Sequence, residues 1–136
     1  MSKILAEISA GEFLDKLSIL EIKLNKIKDL ISLNEIKKEY EILNETKNKN
    51  IIFSKEIEIL YKDLKETNEK LWKIEDEIRL CEKNSDFKDK FIQLSRDVYF
   101  TNDKRSKTKS EITKILGSNI KAVSYTHLTL PTNREV

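Results

Sequence analysis

The stretch SKEIEILYKDLKETNEKLWKIEDEIRLCEKN, residues 54–84, decides how this chain folds. Ile57, Leu60, Leu64, Thr67, Leu71, Ile74, Ile78 and Cys81 recur at alternating steps of three and four, and seven of these eight positions are apolar. A strand would alternate every second residue, whereas steps of three and four draw one stripe along a helix. A strict 3.5 period favours left-handed, near-antiparallel packing against a neighbour. Ser54 supplies an N-cap, and Lys83-Asn84-Ser85-Asp86 supplies the stop. The spacing predicts a helix over 54–83.

Toward the C-terminus, Ser85 or Asp86 is placed to cap a further helix over 86–116. Its stripe runs Phe87, Phe91, Leu94 and Val98, turns polar at Asn102 and Arg105, and resumes at Ile112, Ile115 and Leu116. Gly117 then sits where a residue with positive φ ends a helix. Toward the N-terminus, Ser9-Ala10-Gly11-Glu12 reads as a capping box, with Ile8 and Phe13 as its hydrophobic staple. Ser32-Leu33-Asn34-Glu35 repeats the pattern with Ile31 and Ile36. These signals predict helices over 10–31 and 33–47, with Lys47-Asn48-Lys49-Asn50 as a polar hairpin tip. One continuous helix through that tetrad is the alternative, because the phase is nearly kept.

The first helix has a seam of Phe13, Leu17, Leu20, Leu24, Ile27 and Ile31, widened by Leu14, Ile19 and Ile22, so it should touch more than one neighbour. Met1–Ile8 is short and apolar and is expected to lie extended across the bundle. The expected fold is all-α: an elongated antiparallel helical bundle or hairpin of about four helices with coiled-coil-like seams.

The final stretch, AVSYTHLTLPTNREV (122–136), breaks the Lys-, Ile- and Asn-rich character of the rest. It reads as one translated frame of a transposon-type sequencing adapter, with a codon completing Ala122. The expectation is a single helical domain over 1–121, a non-native disordered tail over 122–136, and a native C-terminus replaced by that tail. Arg134 and Glu135 leave with the tail, so the net charge stays at +2.

That balance is not the strongly basic one of a dedicated nucleic-acid binder. Lys104, Arg105, Lys107, Lys109, Lys114 and Lys121 crowd the end of the last helix, where cations complement the helix dipole. No aromatic ladder for base stacking accompanies them. The sole histidine, His127, falls in the tail, which removes Ser–His and Cys–His pairs, His–zinc sites and Glu-x-x-His di-iron motifs. There is no Gly-rich phosphate loop. The one cysteine, Cys81, lies on the 54–83 seam and reads as a small buried hydrophobe. No run of 18 apolar residues is present, so a soluble cytoplasmic protein is expected. Carboxylate pairs at i,i+3, such as Glu12/Asp15 and Asp63/Glu66, could in principle hold Mg²⁺. They are no more frequent than chance spacing of this many acids gives. The plainer reading is a charged surface with i,i+4 ion pairs such as Glu66–Lys70 and Glu69–Lys73. No metal, cofactor or catalytic residue is expected.

Polar residues bordering the seams are the more informative set. Asn68, Trp72, Glu75 and Arg79 form one stripe on the third helix. Tyr99, Asn102 and Arg105 interrupt the fourth, and Glu12, Asp15 and Lys16 open the first. Convergence of these ends would make either a hydrogen-bond network that sets register or a pocket for a ligand.

Three segments carry a resemblance: EISAGEFLDKLSILEIKL (7–24), NEKLWKIEDEIRLCEKNSDF (68–87) and SRDVYFTNDKRSKTKSEITKILGSNI (95–120). Together they resemble a bacterial family catalogued only as a domain of unknown function, over nearly all of residues 4–121. The most specific pieces are Gly11-Glu12 with Asp15-Lys16, Asn68-Glu69 with Leu71-Trp72, and Thr101-Asn102-Asp103 with Arg105. The resemblance implies a helical fold, no assigned activity, and a setting near cell-surface polysaccharide or glycosyltransferase functions. It also implies an acidic stretch and a Lys-Ser-Tyr-like end beyond Ile120, which the tail replaces here. Two functions are expected from this whole. The first is a non-catalytic interaction or self-associating module using spare apolar faces of the first and third helices. The second is a small-ligand or enzymatic site at the polar ends of the first, third and fourth helices.

Overall fold

The structure, a computed structural model, describes residues 3–117. Four helices follow in order: α1 (Ala10–Lys26), α2 (Leu30–Asn50), α3 (Lys55–Lys83) and α4 (Asp89–Leu116). The expectations for residues 122–136, and for a native end in their place, lie outside the described residues.

The organising unit is the α3–α4 hairpin. At 1.5 Å per residue, α3 is about 43 Å long and α1 only about 25 Å. α1 therefore covers only part of the hairpin. Residues 11–15 of α1 lie over α4, at Arg105, Lys109 and Thr113. Residues 15–21 reach α3, at Asn68, Lys65 and Tyr61. α1 thus crosses the base of the hairpin obliquely, from α4 to α3. Leu14, Leu17, Ile57, Leu64 and Ile112 fill the centre of this crossing. Beyond it, α3 and α4 continue as a two-helix arm with its own small core of Ile74, Cys81 and Leu94, joined by Ile78, Phe91 and Val98. α2 approaches the backbone of α1 alone.

The wide apolar face of α1 is used on several sides: Leu14, Leu17, Ile19, Leu20 and Ile22 are all buried. This corrects the expectation of a spare apolar face on α1. The seam of α3 is buried as its spacing predicts, with Ile57, Leu64, Thr67, Leu71, Ile74 and Cys81 inside. Met1–Ile8 was expected across the bundle, but Ile4 and Leu5 stand 95% and 88% exposed.

Helix ends account for most differences from the sequence expectation. Ser9 caps α1, its hydroxyl accepting from Glu12 N–H at 3.3 Å, which is one half of the first capping box; the Glu12 carboxylate pairs with Lys109. The second box is not used. Asp29 caps α2, its Oδ2 accepting from Ser32 N–H at 2.9 Å. α1 therefore stops at Lys26 instead of 31, with Ile27 extended, and Ile31 falls on α2, 77% exposed. The tetrad 47–50 stays helical, and the break comes at 51–54. There Lys47 Nζ lies 5.0 Å above the Phe53 ring, and Phe53 packs edge-on against Tyr61. Ser54 caps α3, accepting from Ile57 N–H at 3.2 Å.

Neither Ser85 nor Asp86 is the N-cap of α4; that position falls to Lys88, without a side-chain bond. Both are committed to ending α3. Ser85 is left-handed (φ 54°), Asp86 N–H donates to Cys81 C=O at 2.8 Å, and Ser85 N–H donates to Glu82 C=O at 3.1 Å. That pair of bonds is a Schellman motif, with serine where glycine is preferred. Gly117 ends α4 in the left-handed region, as predicted. The expected ion pairs Glu66–Lys70 and Glu69–Lys73 are not among the contacts within 4.0 Å in the described residues; α3 instead pairs Lys65 with Glu21 of α1 at 3.0 Å.

Candidate functional site: a buried polar cluster where three helices meet

Asp15 lies at the centre of the crossing. Capping by Ser9 starts α1 so that Gly11, Asp15 and Ser18 share the face turned to the hairpin. Arg105 grips the carboxylate with two bonds, Nε to Oδ1 at 3.0 Å and Nη2 to Oδ2 at 2.5 Å. Asn68 donates from Nδ2 to Asp15 Oδ1 at 2.9 Å and to Ser18 Oγ at 2.8 Å. Ser18 in turn donates to Asp15 C=O at 2.8 Å. Arg105 Nη1 reaches Asn102 Oδ1 at 3.4 Å, a long contact. Lys109, one turn on, pairs with Glu12 at 2.9 Å and lies 3.9 Å from Asp15 Oδ2.

The last link is backbone. Gly11 N–H donates to Thr113 Oγ1 at 2.9 Å. A Cβ at Gly11 would stand 2.1 Å from the carbonyl oxygen of Lys109. Glycine is needed here for close approach of α1 to α4, since any side chain would push the helices apart.

Asp15, Asn68, Asn102 and Arg105 are all buried. Burial opposes the charge on Arg105, but the hydrogen bonds and attraction of Asp15, then Glu12 and Glu75, outweigh it and hold the guanidinium above its ordinary value. A bidentate Arg–carboxylate pair is the geometry in which a buried ion pair best offsets its desolvation.

Of the residues singled out in the sequence, Glu12, Asp15, Asn68, Asn102 and Arg105 come together. Glu75 is buried near enough to act on Arg105. Trp72 is half-buried one turn along α3 from Asn68. Three others belong elsewhere. Lys16 turns to Glu39 of α2 at 3.2 Å, Arg79 is exposed on the arm, and exposed Tyr99 packs edge-on against Phe100. Sequence reasoning missed Ser18, Lys109 and Thr113. Lys109 and Thr113 continue the face of Arg105 at steps of four, a signal obscured because the basic residues here were assigned to the helix dipole.

Chemically, the cluster is a connector. Both oxygens of Asp15 are engaged by donors, so it is not a free base. The unused hydrogen-bonding capacity in the described residues is Asn68 Oδ1, Asn102 Nδ2 and, beside them, Asp103 Oδ1. Among the described residues no group of three or more His, Cys, Asp or Glu side chains is placed to hold a metal ion. No helix among them is long and apolar enough to cross a membrane.

Comparison with known proteins adds one match. A protein-family model described as a family of unknown function (DUF6165) matches residues 4–130. The match spans all four helices and takes in residues 122–130 of the stretch read above as adapter. No curated protein and no solved structure matches the chain.

Proposed function

The chain belongs to this family of unknown function, which brings no activity with it, and from the geometry we propose a non-catalytic interaction module that self-associates through the α3–α4 arm. The observation that carries this reading is the apolar surface of the arm. Leu80 on α3, Phe87 in the turn and Ile92 on α4 are each half exposed or more, at the level of the arm's own core and beyond the contacts that α1 makes at Asn68 and Arg105. A two-helix hairpin buries one seam and leaves its outer faces to water, so a second copy laid alongside would bury these residues. The net charge of +2 offers little repulsion to such pairing.

The polar cluster fits this reading as the element that sets the register of α1 on the hairpin. Its members are turned inward and bonded to one another, which supports positioning over ligand capture. The basic end of α4 gives little support to nucleic-acid binding, because Arg105 and Lys109 are spent inside the cluster. Sedimentation equilibrium of the full chain tests the proposal. The expected result is a monomer–dimer equilibrium at high micromolar concentration; a strictly monomeric species there overturns it.

A further inference from the structure

Between α1 and α2, beside the turn that joins them, lies a groove of about 640 Å³. This is within the size range of small-molecule sites. Its apolar lining comes from Ile27, Ile31, Ile36 and Ile42. Its polar lining is Lys23, Ser32, Glu35, Lys38 and Glu39, of which Lys23 is the buried one, at 1% exposed. No carboxylate among the described residues comes within 4.0 Å of the Lys23 ammonium. The two acids on the groove wall are already paired: Glu39 with Lys16 at 3.2 Å and Glu35 with Lys38 at 3.8 Å. Glu39 acts on Lys23 only across a longer distance, and burial pulls the lysine below its ordinary pKa.

A buried cation with no close counter-ion is costly. Lys38, the other cation of the lining, is already paired with Glu35, so Lys23 is the cation left to match, beside the hydrocarbon of the four isoleucines. We propose that this groove binds a small monocarboxylate with a linear apolar chain, the carboxylate seated on Lys23 and the chain lying along Ile27, Ile31 and Ile42. A single negative charge fits better than a dianion, because Glu35 and Glu39 stand on the same wall. The site is separate from the α3–α4 arm and does not depend on self-association.

Calorimetric titration of decanoate into the full chain, below its micelle concentration, tests the assignment. Saturation at one site is expected, with 1-decanol and decyl phosphate each bound at least about tenfold more weakly. Lys23→Met should weaken decanoate at least about tenfold while leaving the helical circular dichroism unchanged. Ile42→Glu, at an exposed rim position, should weaken decanoate comparably and serves if Lys23→Met fails to fold. The assignment is overturned if decanoate does not saturate by millimolar concentration or if decanol binds equally well. It is likewise overturned if either folded variant binds decanoate as the parent does.

Discussion

At the scale of the residue, Asp15 concentrates the most interaction in the molecule, and its loss has a defined consequence. Asp15→Asn leaves the Arg105 guanidinium buried with only part of its partner, which costs about 3–5 kcal/mol. Urea unfolding should show this, and a double variant with Asp15→Leu and Arg105→Met should lie much closer to the parent. A smaller cost for Asp15→Asn than for a surface exchange would contradict the geometry. Tyr61 gives a pH dependence. Its hydroxyl donates to Glu21 at 2.6 Å, and burial, then that bond and the Glu21 charge, raise its pKa. In the unfolded chain the phenol ionises near pH 10. The stability from Tyr61 is thus fully present below pH 10 and is lost as the pH rises beyond it, where the unfolded state releases the proton first. Unfolding free energies measured from pH 9 to 11 should fall, and Tyr61→Phe should flatten the fall. Membership of the cluster was partly legible in the sequence, because Asn68, Asn102 and Arg105 stand where an apolar seam should continue. Asp15 stood among the polar residues that open α1, but which groups bond was not legible, since the Arg105–Asp15 bond spans 90 residues and no local pattern encodes it.

At the scale of the element, helix termini decide where the sequence expectation and the structure part. Asp29 and Ser32 both have cap chemistry three residues apart, and local rules rank them nearly equally. Capping from Asp29 brings Ile36 inward and leaves Ile31 outside. Asp29→Ala should lower the midpoint of chemical denaturation and reduce the helical signal of α2; no change would return the start of α2 to Ser32. The α3 terminus yields a gain. Ser85 holds a left-handed conformation that costs a residue with a Cβ roughly 1 kcal/mol. Ser85→Gly should therefore stabilise the protein by about 0.5–1 kcal/mol, read as a raised urea midpoint. By contrast, the seam of α3 was legible throughout. Its 3.5 period repeats long enough that no competing local signal interrupts it, and burial follows it from Ile57 to Cys81.

At the scale of the whole molecule, α1 is the hub: its backbone lies close to every other helix, whereas the backbone of α2 comes close to α1 alone. The four helices and their all-α class followed from periodicity. The oblique crossing did not, because it depends on contacts such as Gly11 with Thr113 that only the assembled chain brings together. The arm offers the test of assembly. Ile92→Glu introduces a charge on its exposed outer face and should abolish dimerisation in sedimentation while leaving the melting temperature of the dilute protein within a few degrees. Retained dimerisation would place the interface elsewhere. The hub also has a temporal consequence. Asp15 and Gly11 bind residues 90 and 102 positions later in the chain. At translation rates of 5–20 residues per second, roughly 5–18 s separate the synthesis of Asp15 from that of Arg105. The hairpin closes through a short local turn, so it can zip as α4 is completed. α1, apolar on several sides, has to wait for it, so the earliest made of these four helices is among the last to dock.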